Sequence, residues 1–164
     1  MTLRKIMYGI KKKRAKEISK QIKEKTGVDL FGKMEKIKLN ASLSIILVDK
    51  SPLIIEYRNL YYLSVYGVLK FKPEKNKVIV DKGAKAYILN GADIMRPGVV
   101  YADEKIKRNE FVHIEVENLA PVAVGIALMD GKEMNLKERG KAVKNIHYVG
   151  DKIWNFLLQE GFIG

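Results

Sequence analysis

The sequence predicts an α+β N-terminal half followed by a mainly-β half that closes, or nearly closes, into a small barrel. Three observations predict it. A segment of helical period opens the chain, strand-like alternation replaces it from Ile37 onward, and beyond a polar connector many short strands follow with few helices between them. The connector, Phe71-Lys72-Pro73-Glu74-Lys75-Asn76-Lys77, is short and holds a proline, and it divides the chain into 1–74 and 75–164. A length of 164 residues, 47% apolar and 30% charged, suits one domain or two small ones with a real core.

Residues 10–25 carry the helical period. Ala15, Ile18 and Ile22 form a narrow apolar stripe, and Lys11, Lys12, Lys13, Arg14, Lys16, Lys20, Lys23 and Lys25 cover much of the rest. Those lysines suit either a solvated helix face or a surface that follows phosphates, and the pattern leaves both open. Gly27 stands where a helix-ending glycine is expected. Leu43, Ile45 and Leu47 then alternate with Ser42, Ser44 and Ile46 as a strand, which Asp49-Lys50-Ser51-Pro52 interrupts. Residues 53–57, 60–66 and 68–71 read as further strands, with Gly67 turning between the last two.

In the second half Val78-Ile79-Val80 forms a short strand, and Asp81 caps the helix after it. Ala84, Tyr87 and Ile88 share one face of that single short helix, which Asn90-Gly91 closes. Arg96-Pro97-Gly98 puts proline and glycine at the central positions of a type II turn. Residues 111–117 set Val112, Ile114 and Val116 on one side, with His113, Glu115 and Glu117 facing outward. In 121–128 the larger Val122, Val124, Ile126 and Leu128 oppose Ala123, Gly125 and Ala127, a small-residue face that implies close approach of another backbone. Residues 142–149 supply the last strand. Asp151 then caps a terminal helix whose Ile153, Trp154, Leu157 and Leu158 dock on the barrel or on the first half.

Charge narrows the function. Lys and Arg number 31 against 19 Asp and Glu, a net +12. Residues 1–38 hold 13 basic and 4 acidic side chains, a net +9, whereas the other 126 hold 18 and 15, a net +3. Such asymmetry points to a polyanionic partner, most often nucleic acid or an acidic membrane surface, with nucleic acid favoured as the commonest ligand of such a surface. A thermophilic composition also fits 25 Lys to 6 Arg, two Gln and no Cys, but such chains usually balance lysine with glutamate and this one does not. No stretch approaches the roughly 18–20 consecutive apolar residues of a membrane span. Met1-Thr2-Leu3-Arg4-Lys5 leads into more lysine and not into an apolar signal core, so a soluble cytoplasmic protein is expected.

Catalytic signals are weak. The absence of cysteine excludes disulfides and thiol chemistry, and two histidines argue against a zinc site, so no metal or other cofactor is expected. Gly27-Val28-Asp29-Leu30-Phe31-Gly32-Lys33-Met34 nearly spells a phosphate-binding loop. It ends on methionine where a hydroxyl should bind magnesium, follows a helix, and has Val28, Leu30 and Phe31 suited to packing inward. His147 and Asp151 are four apart but separated by Gly150, no serine completes a nucleophilic set, and His113 reads as a surface histidine. Asn40-Ala41-Ser42 matches the glycosylation pattern without a secretion signal to give it meaning.

Residues 81–98, Asp81-Lys82-Gly83-Ala84-Lys85-Ala86-Tyr87-Ile88-Leu89-Asn90-Gly91-Ala92-Asp93-Ile94-Met95-Arg96-Pro97-Gly98, differ from these. Glycines at both helix ends and in the turn beyond let another backbone come close, and Lys82, Lys85 and Arg96 suit a phosphodiester; a purely structural glycine-rich turn would read the same way. The segment resembles the signature of the PUA domain, the RNA-binding module named from pseudouridine synthases and archaeosine transglycosylases. The tail Gly140-Lys141-Ala142-Val143-Lys144-Asn145-Ile146-His147-Tyr148-Val149-Gly150-Asp151-Lys152-Ile153-Trp154 resembles that domain's closing strand. Both motifs are similar to those of the translation-machinery-associated proteins related to the malignant T-cell-amplified sequence, which pair a pre-PUA with a PUA domain. The chain resembles an archaeal-type member.

The resemblance implies a pseudo-barrel that grips structured RNA between its helix-to-strand loop and its last strand. It assigns contacts to Gly91, Ala92, Arg96, Pro97 and Gly98 in the loop and to Lys82 and Lys85 at the helix start. On the closing strand it assigns them to Lys141, Lys144, Asn145, His147 and Tyr148, with Val143, Ile146 and Trp154 kept as core. Few of these contacts would be base-specific. With Lys11, Lys12, Lys13 and Arg14 as a second basic surface, the expected function is a non-enzymatic RNA-binding protein of translation. Ribosomal or transfer RNA, the small ribosomal subunit and a translation factor are its expected partners. The alternatives are a ribosome-biogenesis factor on pre-ribosomal RNA and a targeting subunit of an RNA-modifying enzyme, although the 74 residues before the boundary leave little room for a catalytic domain.

Overall fold

A computed structural model describes residues 7–164. β1 (Met7–Gly9) leads into α1 (Lys12–Thr26), which buries Ile18 and Ile22 as its stripe dictates and leaves Lys12, Lys13, Lys16, Lys20 and Lys23 exposed. Gly27 ends the helix, its N–H donating to the Lys23 carbonyl at 2.8 Å. β2 (Met34–Lys38), β3 (Leu43–Val48), β4 (Ser51–Tyr57) and β5 (Leu60–Leu63) follow, and the five strands pair antiparallel in chain order.

Two expectations change here. Ser51 and Pro52 do not interrupt the sheet: the reversal falls on Asp49 and Lys50, both at positive φ, and the proline lies at the start of β4 beside a register shift, where a missing N–H is tolerated. Residues 65–71 are a helix, α2 (Val65–Phe71), and not strand. The Ser64 hydroxyl caps it by accepting the Gly67 N–H at 3.0 Å and donates to the Pro52 carbonyl at 2.6 Å. Gly67 makes no turn; a Cβ there would stand 2.4 Å from the Leu53 carbonyl oxygen, so glycine lets α2 lie flat on β4.

The second half opens with β6 (Lys77–Val80), a 3-10 turn at Lys82–Ala84 and the one-turn α3 (Lys85–Ile88). β7 (Ile94–Met95), β8 (Val99–Ala102), β9 (Phe111–Val116) and β10 (Pro121–Ala127) come next. α4 (Gly131–Leu136), β11 (Lys141–Tyr148) and α5 (Lys152–Gln159) complete the chain. The six strands run in the order β7-β11-β10-β9-β6-β8, antiparallel except for the parallel β6–β9 pair, and enclose a nearly closed mixed pseudo-barrel. The expected α+β region followed by a mainly-β, nearly closed barrel is therefore the observed architecture. Gly125 lies where the small-residue face requires: a Cβ would meet the Lys144 carbonyl oxygen at 2.2 Å, so β10 and β11 approach only because glycine is there.

The barrel interior is filled by Val78, Val80, Ile114, Val116, Ala123 and Val143, among others. A larger core spans both halves, in which Phe111, Val124, Ile126, Ile153 and Leu157 join the apolar residues of the first sheet. Pairing places Tyr57, Ile55 and Tyr62 on one sheet face and Lys36, Ile46, Ile54 and Tyr61 on the other. The first face meets the barrel, where Tyr62 stacks on Phe111 at 5.4 Å between centroids, a contact worth about 0.5–1.5 kcal/mol beyond burial. α1 packs along β5 from the other face, with Arg14 on Tyr61.

This double coverage explains further corrections. β9 is buried on both sides, so His113 is 1% exposed, and its Nδ1 meets the Tyr62 hydroxyl at 2.8 Å instead of facing solvent. In α5 Ile153 and Leu157 are buried and Trp154 packs against the shared core, whereas Leu158 points outward. Phe31 is 82% exposed and does not pack inward. Arg96-Pro97-Gly98 forms a 3-10 turn in place of the type II turn, because Gly98 is not at positive φ. No helix among the described residues is long and apolar enough to cross a membrane.

Candidate nucleic-acid interface

The loop from α3 to β7 and the turn after it form an open ledge. Asp81 caps the first turn by accepting the Ala84 N–H at 3.0 Å, and Asp81 itself is held by its N–H to the Gly98 carbonyl at 2.9 Å. After α3 the chain turns sharply at Gly91, φ +91°, with the Gly91 and Ala92 N–H groups on the Ile88 and Tyr87 carbonyls. A side chain at Gly91 would be strained in that conformation and would crowd the Tyr148 hydroxyl at 3.3 Å. The result is a hollow of about 360 Å³ lined by Tyr87, Ile88, Ala92, Met95, Pro97 and Gly98, among others.

Tyr87 and Met95 are the residues that sequence reasoning missed. Tyr87 shares one helix face with Ala84 and Ile88 in the sequence, yet it is 70% exposed while Ile88 is buried, and Met95 is 47% exposed. A helix of one turn buries one side chain, here Ile88, and its neighbours stay outside. The length of the segment between Asp81 and Gly91 was the signal that could have shown it. An exposed phenol and thioether at a hollow rim suit stacking of an unpaired base more than a phosphate contact.

The ledge is tied to β11. The Asn145 side-chain amide donates to the Ile88 carbonyl at 3.1 Å and to the Ala92 carbonyl at 3.0 Å, while its backbone N–H donates to Asp93 at 3.0 Å. Asp93 also pairs with Lys141 at 3.3 Å. The two acids that line the hollow, Asp81 and Asp93, are thus both engaged, and Lys82 and Lys85, exposed on the segment that forms it but not among its lining residues, have no acidic partner among the described residues. Arg96 turns back on itself: its Nη1 donates to the Val99 carbonyl at 3.2 Å, its Nε is buried without a partner, and its backbone N–H holds the Gly140 carbonyl.

The closing-strand residues divide. Lys141 and Lys144 are exposed, Tyr148 is half-buried against Gly91, and Asn145 spends its amide on the loop. His147 is fully buried, its Nδ1 2.8 Å from Asp151. Asp151 also accepts the Trp154 and Tyr148 N–H groups, so the Gly150 break does bring the pair together, as part of the cap of α5 and away from any surface.

At the other basic surface Lys11, Lys12 and Lys13 are exposed, with no acid in the first turn of α1 and no side-chain cap. Cations at the positive end of a helix oppose its dipole, so this arrangement does not serve the helix itself. Arg14 pairs with Glu17 at 2.9 Å and bonds the Tyr61 hydroxyl, which hold its guanidinium above its ordinary pKa. The sheet separates this surface from the barrel. In the near-phosphate-loop the Lys33 N–H already donates to the Asp49 carboxylate at 2.8 Å, occupying an amide such a loop would offer to an anion.

Known proteins give the same grouping. The PUA domain family model matches residues 76–149. Over 155 residues the chain is 45% identical to an uncharacterized protein of Methanocaldococcus jannaschii, covering 91% of this chain and 95% of that one. A conserved PUA domain protein from Thermoplasma acidophilum, of solved structure, shares 32% identity and a TM-score of 0.76 over 91% of this chain and 97% of that one. Translation machinery-associated protein 20 of Saccharomyces cerevisiae is 29% identical over 133 residues, covering 77% of this chain and 74% of the yeast protein. The chain belongs to the PUA-domain proteins, with translation machinery-associated protein 20 among its homologues.

Proposed function

We propose that this protein is a non-enzymatic, cytoplasmic RNA-binding protein of the translation machinery, taking ribosomal or transfer RNA on the ledge. The observation that carries the reading is the open hollow lined by Tyr87, Met95, Asp81 and Asp93, both acids engaged, with Lys82 and Lys85 exposed on the segment that forms it. A ledge of this kind offers a base an apolar seat and its phosphate a cation. Lys11, Lys12 and Lys13 then hold a second stretch of backbone by charge alone. Division at 74/75 makes the first part a basic platform and the second the RNA reader. The yeast homologue's name supports translation as the process, and the small ribosomal subunit and a translation factor are the partners that reading calls for.

The test is a binding titration with single-stranded and hairpin RNAs at several salt concentrations. Affinity should fall with a log–log slope of about −0.7 per phosphate neutralised on a single strand. Tyr87→Ala should weaken binding about tenfold without changing that slope, since stacking carries no counterion. A flat salt response overturns the reading.

A further inference from the structure

Tyr57 ends β4 on the sheet face that meets the barrel, and its ring carries two cations. The Arg58 guanidinium lies 5.2 Å from the ring centroid, and Lys144, reaching over from β11, lies 5.7 Å from it with its Nζ donating to the Tyr57 hydroxyl at 3.2 Å. Phe111 supports the ring edge-on at 6.5 Å. Among the described residues neither cation has an acidic partner. Two positive groups sharing one ring repel each other, and an anion seated between them removes that repulsion.

The position of this pair matters as much as its charge. Arg58 and Asn59, both at positive φ, form the β4–β5 turn that wraps the end of the sheet. On the far face they border a polar hollow of about 260 Å³ that also contains Lys36 and Lys38, and its one lining acid, Glu56, is paired with Lys36. Lys36 and Tyr8 belong in turn to the neighbouring hollow at Lys11 and Arg14. Toward the barrel, Lys144 immediately precedes Asn145, whose amide holds the Ala92 carbonyl of the ledge. The barrel and α1 pack on opposite faces of the sheet, and Arg58 serves both sides, its guanidinium on the Tyr57 ring and its residue bordering the far-face hollow.

We propose that the joint formed by Tyr57, Arg58 and Lys144 is a second RNA-contact site, gripping the phosphates of a single strand that runs from the ledge toward Lys38 and the start of α1. The proposal rests on the RNA-binding reading above. A path that bends round the end of a sheet suits a flexible strand, whereas a double helix is stiff over lengths far greater than this protein. Cations alternating with the exposed Tyr8 and Tyr87 are the composition of a single-strand groove.

Two fluorescent single-stranded RNAs test it, one of about 4 nucleotides that fills only the ledge and one of about 16 that reaches α1. In Arg58→Gln/Lys144→Gln the long RNA should bind roughly 25-fold more weakly at 0.1 M salt, with the difference closing toward 1 M and the slope shallower by about 1.4. The short RNA should bind single Arg58→Gln, whose side chain lies off the ledge, as it does the unsubstituted protein. Arg58→Lys/Lys144→Arg, which keeps both charges, should restore the slope, and single Arg58→Gln, at an exposed turn, should remove about half of the effect should the double variant fold poorly. An unchanged long-RNA slope in folded variants overturns the joint and leaves the ledge reading standing; failure of the unsubstituted protein to bind either RNA overturns both.

Discussion

The ledge and the start of α1 both offer cations to solvent, yet they are built in opposite ways. Around the ledge Asp81, Asp93, Lys141 and the Asn145 amide are committed to one another and to the backbone, so its shape is fixed before any ligand arrives. At α1, Lys11, Lys12 and Lys13 are exposed, uncapped and without an acid in their turn, so charge is present and shape is not. Preorganised contacts lose little freedom on binding, whereas long free lysines act at a distance and fade with salt. On the reading proposed above, position and attraction fall to different halves of the molecule, which the interface at Tyr62, Phe111 and His113 holds together.

Breaking that interface is the largest perturbation. Burial, reinforced by the nearby Lys77 ammonium, pushes the His113 imidazole down to about 4. Between pH 6.5 and 4 the unfolded chain takes up a proton at this residue and the folded chain does not, so stability is lost as pH falls through that window and the loss is complete below it. A shift of this size corresponds to a loss on the order of 3 kcal/mol. Denaturant unfolding across pH 7 to 4 should show this limb, and His113→Gln, which keeps a hydrogen-bonding group near Tyr62, should flatten it. An unchanged limb in that variant would assign the acid sensitivity to other groups and free the interface from it.

Charge removal at α1 comes next. Lys11→Gln/Lys12→Gln/Lys13→Gln should weaken RNA binding on the order of 100-fold at 0.1 M salt, lower the slope by about 2, and leave little difference near 1 M. Its effect should be the same for every RNA sequence, because a solvated lysine meets only phosphate. The contrast with Tyr87→Ala, which lowers affinity at every salt concentration alike, is the sharpest measure of how separate the two regions are. Equal slopes in the two variants would mean that ledge and helix share one mode of binding.

How far the sequence revealed this arrangement varied with how local the deciding forces were. α1, the β3 strand though not its alternation, the Asp81 and Asp151 caps and the close approach at Gly125 were legible because period, capping chemistry and residue size act within a few positions. α2 was read as strand because Val65, Tyr66, Val68 and Phe71 favour strands, and what overrides them is tertiary: the Ser64 bond to Pro52 and the contact of Gly67 with Leu53. α4 was legible and overlooked, since Asp130 and Glu133 form a capping box at the standard spacing. His113 was read as outward because alternation assumes one buried face, and β9 has two. At the candidate site the motif located the ledge, whereas the burial of His147, the inward turn of Arg96 and the exposure of Tyr87 are set by neighbours distant in sequence.

The finest distinction between the two regions concerns what keeps the ledge in shape. Asn145 was expected to touch RNA, and its amide hydrogens are both directed at the carbonyls of Ile88 and Ala92. In Asn145→Ala those carbonyls turn to solvent, Ala92 being already exposed, so the cost should be near the lower end of a lost hydrogen-bond pair, about 1 kcal/mol, lowering the thermal midpoint by about 2–4 °C. If Asn145 acts by positioning the loop, RNA affinity should drop severalfold with an unchanged salt slope, and the protection of the Gly91 and Ala92 amides from hydrogen exchange should fall before any ligand is added. A direct contact would instead lower affinity while leaving free-state exchange untouched. That difference separates a ledge whose form belongs to the protein from one that the RNA moulds.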